Sequence, residues 1–353
     1  MSKPKVFVTR VIPAAGLDRV KSACNAEVWT GPLPPPVEVI REKAAKCDGL
    51  LTLLTDRIDA QTLAACKKLR VISNYAVGFN NIDVPAATEL GICVGNTPGV
   101  LTEATADLAF ALMIAAARRV VEGHAYTLAG KWKTWEPMGH IGQDLAGRTL
   151  GIIGMGRIGM ALAKRCRGGW DMKVLYNDLH RNEEAERTLG ARRVDLDVLL
   201  EKSDFVSVHA NLTEGTHGMF DAAHFRKMKS SAVFVNTARG ALVVEKDLAD
   251  ALRKGVIFAA GLDVTDPEPP KADNPLLKLP NCIVAPHVAS ATVATRAAMA
   301  EIAADNLIAG LEHRPLPHWV NPEVAPKRRA EPTSQIQPEK KKGAKASSKP
   351  RRK

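Results

Sequence analysis

Short apolar segments rich in β-branched residues alternate along the chain with longer segments in which apolar residues recur every three or four positions. In the first hundred residues the apolar segments are Val6–Thr9, Leu50–Leu54, Val71–Ser73 and Ile92–Val94. Segments of helical periodicity, such as Pro13–Cys24, separate them. Because strands joined by helices run parallel and are covered on both faces, this alternation predicts a doubly wound α/β domain.

A second run of the same kind follows a segment rich in Ala and Leu at 102–119, which predicts a long buried helix. The strands predicted in this second run are Thr149–Ile153, Lys173–Tyr176, Phe205–Val208, Ala232–Asn236, Ala259–Val264 and Cys282–Ala285. A chain of 353 residues exceeds one ordinary core, so the two runs predict two α/β domains. From residue 322 onward the hydrophobic pattern stops, which predicts a disordered tail over 322–353.

The charge of the chain is concentrated in this tail. The 49 basic and 38 acidic residues give a net charge of +11, yet 11 of the basic and only two of the acidic residues lie in 325–353. The tail segment therefore carries +9, and the rest of the chain carries +2. The tail has no aromatic side chain on which a base could stack. We therefore expect at most weak binding of nucleic acid, through the tail, and no membrane partner.

The six cysteines are scattered and form no C-x-x-C pair, which is typical of reduced thiols in an intracellular protein. The first ten residues lack the apolar stretch of a signal peptide. The longest uncharged apolar run, 108–117, is about half the roughly 20 residues needed to span a membrane. We expect a cytoplasmic protein, and we predict no metal site.

A glycine-rich turn carries the first chemical signal. The predicted strand Thr149–Ile153 leads into G-x-G-x-x-G and then into a helix. In such a turn the first glycine permits the tight bend, the second admits a pyrophosphate, and the third lets the helix pack on the strand. The sequence therefore predicts a dinucleotide site. Its cofactor-binding residues here are Gly154, Met155, Gly156, Arg157, Ile158 and Gly159.

An acidic residue closes the second strand of this domain. Asp178 lies 19 positions after Gly159, where a ribose-binding carboxylate belongs. Such a carboxylate binds the 2′-hydroxyl of NAD and repels the 2′-phosphate of NADP. His180 and Arg181 follow directly and leave NADP open. The sequence therefore favours NAD.

Three polar residues follow three successive predicted strands. Arg239 follows Ala232–Asn236, Glu268 follows Ala259–Val264, and His287 follows Cys282–Ala285. Ligands bind at the carboxyl ends of the strands in doubly wound sheets. Arg239 can hold a carboxylate bidentately, and His287 can donate a proton, with Glu268 favouring its charged form. The three residues predict reduction of an acid that bears a carbonyl group.

Together with the glycine turn, the motifs N-T-A-R-G, A-G-L-D-V…E-P and A-P-H resemble the D-isomer-specific 2-hydroxyacid dehydrogenase family over residues 5–321. The resemblance implies that Arg239, Glu268 and His287 are catalytic and that Asp263, Thr237 and Ala238 join Arg239 at the cofactor. It also implies a homodimer. The implied domains are a flavodoxin-like substrate domain (1–101 and 291–321), an inserted Rossmann NAD-binding domain (102–290), and the tail (322–353).

The resemblance also implies where the substrate binds. The loop at 74–83 resembles a segment whose backbone N–H groups, from Val77 and Gly78, hold the substrate carboxylate. Leu53 resembles a residue that touches the substrate. The segment K-W-K-T-W at 131–135 is similar to glyoxylate/hydroxypyruvate reductases, in which a tryptophan reaches the partner's pocket. Trp135 is therefore a predicted substrate-binding residue, and packing in a dimer interface is the alternative.

The expected activity is hydride transfer between NAD(H) and a small 2-oxo or 2-hydroxy acid, with glyoxylate or hydroxypyruvate as the expected substrate. Two alternatives stay open. A 3-phosphoglycerate dehydrogenase would share the carboxylate-binding residues. A non-catalytic NAD(H)-sensing protein, similar to the corepressors related to this family, would keep the catalytic residues and use the basic tail to bind partners.

Overall fold

Residues 2–329 are described by a computed structural model, in which they divide into two units. Unit 1 contains residues 2–11, 19–96 and 303–329, and unit 2 contains residues 12–18 and 97–302. Unit 1 is therefore built from segments that precede and follow the main segment of unit 2, residues 97–302. Each unit holds one parallel sheet.

The sheet of unit 1 has five parallel strands in the order β2-β1-β3-β4-β5, which is the flavodoxin-like order. The strands are β1 (Lys5–Val8), β2 (Asn25–Val28), β3 (Gly49–Thr52), β4 (Val71–Asn74) and β5 (Cys93–Gly95). The first four helices are α1 (Ala14–Ala23), α2 (Val37–Ala44), α3 (Ala60–Ala65) and α4 (Val84–Glu89). The predicted doubly wound α/β fold is confirmed for this unit.

The core of unit 1 explains why its inner strands have continuous apolar sequences. Strands β3 and β4 are buried at every position, and Phe7 of β1 is fully buried. Leu50 and Ile72 pack in one cluster with Ile40 of α2 and Leu63 near the end of α3. Because helices cover both faces of a parallel sheet, its central strands need no polar face.

The sheet of unit 2 has seven parallel strands in the order β8-β7-β6-β9-β10-β11-β12. This is the Rossmann order 3-2-1-4-5-6 with one further strand, so the predicted fold is confirmed here too. The strands are β6 (Thr149–Ile153), β7 (Lys173–Asn177), β8 (Arg192–Arg193), β9 (Phe205–Val208), β10 (Val233–Asn236), β11 (Ala259–Leu262) and β12 (Cys282–Val284). The remaining helices are α5 (Thr102–Ala117), α6 (Val120–Leu128), α7 (Arg157–Trp170), α8 (Glu183–Leu189), α9 (Leu196–Lys202), α10 (Ala222–Lys227), α11 (Glu245–Arg253) and α12 (Val293–Leu311).

Side chains of the unit 2 strands alternate between two apolar clusters. Val233 and Val235 of β10 pack with α5 and α7, whereas Phe234 packs with α9, α10 and α11. The period of two follows from the pleat of a strand. The sheet is thereby covered on both faces, which leaves the ends of its strands to carry polar residues.

Residues 322–329 correct the predicted start of the tail. Pro322–Lys327 form a 3₁₀-helix in which Val324 is fully buried. Arg328 donates hydrogen bonds to the carbonyls of Gly310, His313 and Arg314 around the end of α12. Residues 322–329 are therefore folded, because their apolar and arginine side chains have partners in unit 1. The predicted tail at 330–353 lies outside the described residues.

Arg329 continues this packing at two other helix ends. Its guanidinium donates to the carbonyl of Leu90, which caps α4, and to the carbonyls of Cys66 and Leu69, which follow α3. Unpaired carbonyls at a helix C-terminus carry partial negative charge, so a cation is favourable there. Two arginines that look like part of a solvated basic tail in the sequence thus hold helix ends together.

Among residues 2–329, no helix is both long enough and apolar enough to cross a membrane. The same residues contain no group of three or more His, Cys, Asp or Glu side chains placed to hold a metal ion.

Candidate active site

Three neighbouring strands bring the predicted catalytic residues to one edge of the unit 2 sheet. Strands β10, β11 and β12 are adjacent and in register, with Asn236 paired to Leu262 and Leu262 paired to Val284. Arg239, Glu268 and His287 follow these strands in turn. Their common position therefore results from the parallel topology, as the sequence predicted.

Glu268 and His287 form a hydrogen-bonded pair. Oε2 of Glu268 lies 2.7 Å from Nδ1 of His287, and Oε1 accepts the N–H of Thr265 at 3.2 Å. With the carboxylate as the acceptor of this bond, Nδ1 is the donor and Nε2 is the other ring nitrogen. Both side chains are slightly more than a quarter exposed, which leaves the pair accessible.

Asp263 holds the turn on which His287 sits. This carboxylate is almost fully buried and accepts the N–H groups of Val288 and Ala289, both at 2.8 Å. The backbone carbonyl of Asp263 accepts the N–H of His287 at 3.0 Å. Burial raises the pKa of Asp263, and the two N–H donors partly oppose this. The turn is unusual because His287 has a φ of +52°, in the left-handed region.

The position of Arg239 depends on a buried asparagine and a glycine. Oδ1 of Asn236 accepts the N–H of Ala238 at 3.0 Å, and its Nδ2 donates to the carbonyl of Arg239 at 2.9 Å. A Cβ at Gly240 would lie 2.1 Å from the carbonyl of Thr265, so only glycine lets the two backbones approach. Because the backbones of Gly240 and Thr265 approach so closely, Arg239 lies beside the loop that carries Glu268.

Arg239 is a largely enclosed cation. Burial lowers the pKa of its guanidinium, and the negative charge of Glu268 opposes that shift. An arginine starts from so high a pKa that it stays charged at neutral pH. An enclosed, permanent positive charge beside an acid–base pair is the arrangement needed to bind a substrate carboxylate. The sequence did not single out Asn236, although a buried asparagine at a strand end is a signal for such a support.

The glycine turn has the geometry of a phosphate cradle. Gly154 has a φ of +89°, and a Cβ at Gly159 would lie 2.4 Å from the carbonyl oxygen of Gly154. A Cβ at Gly156 would meet no described atom within 4 Å. Within residues 2–329 no side chain caps the first N–H groups of α7 at Gly156. These N–H groups and the positive end of the helix fit the pyrophosphate of a dinucleotide.

Asp178 lies beside this cradle, at the end of β7. Its carboxylate accepts the N–H groups of Met155 at 2.8 Å and His180 at 3.0 Å. Arg181 is held by the Glu186 carboxylate at 2.9 and 2.6 Å. Thr237 is buried, and its Oγ1 has no hydrogen-bond partner among the described residues. An acid at the ribose position and an unpaired hydroxyl after β10 both fit a nicotinamide dinucleotide.

The predicted substrate residues of unit 1 lie at one edge of its own sheet. Leu53 directly follows β3, and Val77 and Gly78 follow β4, the neighbouring strand. All three are partly exposed. They therefore share an edge of the unit 1 sheet, as their positions after parallel strands required.

Trp135 lies in a segment of unit 2 with many exposed apolar side chains. Its own exposure is 79%, and Trp132 is 66% exposed. Helix α6, which the sequence pattern did not predict, has no buried residue among those described. The other exposed large apolar residues of this segment are Val120, Val121, Leu128, Met138 and Ile141.

Comparisons with known proteins identify the family of this chain. A family model described as "D-isomer specific 2-hydroxyacid dehydrogenase, NAD binding domain" matches residues 110–289. The glyoxylate reductase of Korarchaeum cryptofilum is 52% identical over 323 residues, which are 91% of this chain and 97% of that protein.

Two solved structures extend the comparison. The TT0316 protein of Thermus thermophilus is 46% identical, with a TM-score of 0.84, over 90% of this chain and 99% of that one. An NADPH-dependent glyoxylate/hydroxypyruvate reductase from Sinorhizobium meliloti, solved with NADP and malonate, is 29% identical, with a TM-score of 0.80, over 93% of this chain and 99% of that one.

The chain belongs to the D-isomer-specific 2-hydroxyacid dehydrogenase family. It is an oxidoreductase with a nicotinamide dinucleotide cofactor; NAD fits the family, and NADP remains compatible because a relative was solved with it. The comparisons favour neither the phosphoglycerate dehydrogenase nor the corepressor-like alternative.

Proposed function

We propose that this enzyme reduces glyoxylate, and hydroxypyruvate as a larger substrate, to the corresponding 2-hydroxy acids. The observation that carries the proposal is the Glu268–His287 pair, with 2.7 Å between Oε2 and Nδ1. The pair lies on the loops after β11 and β12, and the enclosed Arg239 follows β10, the other neighbour of β11. Two glyoxylate reductases that this chain matches over 97% and 98% of their length support the choice of substrate.

Each residue has one role in this proposal. Arg239 binds the substrate carboxylate, and the N–H groups of Val77 and Gly78 also bind it, with Leu53 touching the substrate. His287 donates the proton from Nε2 to the carbonyl oxygen. Glu268 stabilises the positive charge that His287 carries before this transfer. The bound cofactor supplies the hydride.

The cofactor-binding residues follow from the cradle at Gly154–Gly159. The N–H groups at the start of α7 hold the pyrophosphate, with Met155, Arg157 and Ile158 around it. Asp178 binds the ribose hydroxyls, which favours NAD. Thr237 and Ala238 border the nicotinamide side of the site. Asp263 contacts the carboxamide, in addition to holding the His287 turn.

The direct test is an initial-rate assay with NADH and NADPH against glyoxylate, hydroxypyruvate, pyruvate and 3-phosphohydroxypyruvate. We expect turnover with glyoxylate and hydroxypyruvate and a higher kcat/KM with NADH. A higher kcat/KM with 3-phosphohydroxypyruvate than with glyoxylate would contradict the proposal and would favour a 3-phosphoglycerate dehydrogenase. Absence of turnover on every acid would favour a binding protein.

We further propose a cytoplasmic homodimer. The exposed apolar residues between Val120 and Ile141 support a partner contact, because so many large apolar side chains are rarely left in water together. The six unpaired cysteines agree with a reducing compartment. Sedimentation at micromolar concentration tests the dimer, and Trp135→Ala tests whether Trp135 reaches the partner's substrate, since KM would then rise without loss of the dimer.

A further inference from the structure

We propose that Asn96 and Asn74 are positioning residues that fix the peptide planes of the Val77–Gly78 loop, with Asn81 and the buried Asp56 supporting them. This inference rests on the proposed function, in which the N–H groups of Val77 and Gly78 bind the substrate carboxylate. It adds a cause for the direction of the Gly78 N–H, since a backbone donor binds an anion only when its peptide plane is correctly oriented.

Asn96 controls the peptide that joins Val77 and Gly78. Its Nδ2 donates to the carbonyl of Val77 at 2.8 Å. In a planar trans peptide the carbonyl and the following N–H point in opposite directions. Holding the Val77 carbonyl toward Asn96 therefore turns the N–H of Gly78 away from Asn96 and leaves it available as a donor.

Asn74 controls the next peptide of the loop. This residue ends β4 and is fully buried, and its Nδ2 donates to the carbonyl of Gly78 at 2.9 Å and to Oδ1 of Asn81 at 3.1 Å. Its Oδ1 accepts the hydroxyl of Thr52 at 3.0 Å. With its amide bonded on both sides, the Asn74 side chain cannot turn without breaking several buried hydrogen bonds.

Asn81 and Asp56 join the loop to the end of β3. Nδ2 of Asn81 donates to the carbonyls of Leu53 and Asp56, both at 3.0 Å. Oδ2 of Asp56 accepts the N–H of Leu53 at 2.7 Å and the hydroxyl of Thr9 at 2.5 Å. The network thus ties the ends of β1, β3 and β4 together and sets Leu53 and the 77–78 loop by the same hydrogen bonds.

Asn96 is itself fixed by a later part of the chain. Its carbonyl accepts Nδ2 of Asn306 at 2.8 Å, and Asn306 lies on α12. The Asn96 side chain is only partly buried, so its amide can be altered with less damage to the core than that of Asn74. Asn96 is therefore the residue to change.

The experiment compares wild type with Asn96→Asp, which keeps the size of the side chain but replaces the donor with an acceptor. We expect KM for glyoxylate to rise about 10-fold at pH 8, because the Gly78 N–H loses its fixed direction. We expect kcat to stay within about three-fold. The dissociation constant of NADH, from fluorescence titration without substrate, is expected to be unchanged.

Asn321→Asp is the matched control, because Asn321 is a buried asparagine of unit 1 whose Nδ2 likewise donates to a backbone carbonyl, that of Ile92. It is expected to lower the melting temperature without changing KM. An unchanged KM in folded N96D, or the same rise of KM in N321D, overturns the inference. If N96D does not fold, Asn96→Ser is measured instead, with the same expected direction and the same contradicting results.

Failure of the inference is distinguishable from failure of the proposed function. Wild-type enzyme without turnover on any 2-oxo acid contradicts the proposed function. Wild-type turnover together with a KM that N96D does not change contradicts the positioning role alone.

Discussion

The two sheets present different kinds of chemistry at the ends of their strands. In unit 2 the strand ends carry ionisable side chains, with Glu268 bonded to His287 and Arg239 enclosed nearby. In unit 1 the strand ends carry a network of amides that fixes carbonyls of the backbone at Val77 and Gly78. One parallel topology can therefore place either ionisable side chains or oriented backbone groups at the ends of its strands.

The proposed proton donor and the proposed backbone donors should affect different kinetic constants. A proton donor acts only while bonds change, so its loss lowers kcat. A backbone donor that holds a carboxylate acts on the bound substrate and the transition state alike, so its loss raises KM. Under the proposed roles, loss of His287 should mainly lower kcat, whereas changes in the unit 1 network or at Arg239, which also binds the carboxylate, should mainly raise KM.

The largest effect is expected for His287→Asn. Asparagine tolerates the left-handed backbone at this position but cannot donate the proton, so kcat should fall about 10³-fold. NADH affinity, measured by fluorescence titration, should be retained. His313→Asn, at another left-handed histidine, should keep wild-type kcat. A kcat near wild type in the His287 variant would contradict the proposal that His287 donates the proton.

Arg239→Lys should have the next largest effect. Lysine keeps the charge but lacks the planar fork that binds a carboxylate through two hydrogen bonds, so KM should rise roughly 10- to 100-fold. Arg253→Lys, in an exposed pair with Asp250, is the control and should change neither constant. An unaltered KM for glyoxylate in the Arg239 variant would argue against a carboxylate clamp on unit 2.

Asp263→Asn should have a smaller effect of the same kind as His287→Asn. The new amide N–H would face one of the two backbone N–H groups that the carboxylate now accepts, so the His287 turn should relax and kcat fall about 10-fold. Asp221→Asn removes a carboxylate that also accepts two backbone N–H groups, those of Ala223 and His224. Equal losses of kcat in both variants would show a general defect.

The smallest effect is expected from the arginines beyond residue 327. Deleting residues 325–353 removes Arg328 and Arg329 from their helix ends and should lower the melting temperature by about 2–4 °C. Deleting only 330–353 should leave it unchanged, because the described anchors precede residue 330. Neither deletion should change kcat or KM. Equal melting temperatures of the two deletion variants would show that the hydrogen bonds of Arg328 and Arg329 contribute nothing measurable to stability.

Much of unit 2 could be predicted because its chemistry needs particular residue types. A phosphate cradle needs glycine at Gly154 and Gly159, and proton transfer needs a side chain such as His287. Such requirements leave a pattern in a single sequence. The parallel topology then places the strand ends together.

Other features depend on contacts that the sequence does not display. Strand β2 has alternating partial exposure at the sheet edge and forms by pairing with β1. Helix α6 has no buried face among the described residues, so it has no apolar periodicity to detect. From the sequence, Arg328 and Arg329 look like part of the basic tail, because their carbonyl partners lie far away in the chain. The sequence does not indicate the proposed roles of Asn74 and Asn96, because the backbone N–H groups that they would orient can belong to any residue type.

The order in which the chain is synthesised gives the Asn306–Asn96 hydrogen bond a further consequence. The two residues are 210 positions apart. At about 5–20 residues per second, a ribosome releases Asn306 on the order of 10–40 s after Asn96. All of unit 2 between residues 97 and 302 emerges in that interval. A nascent chain can therefore complete its dinucleotide-binding half well before Asn306 can hold the backbone of Asn96, the residue whose side chain orients the substrate loop.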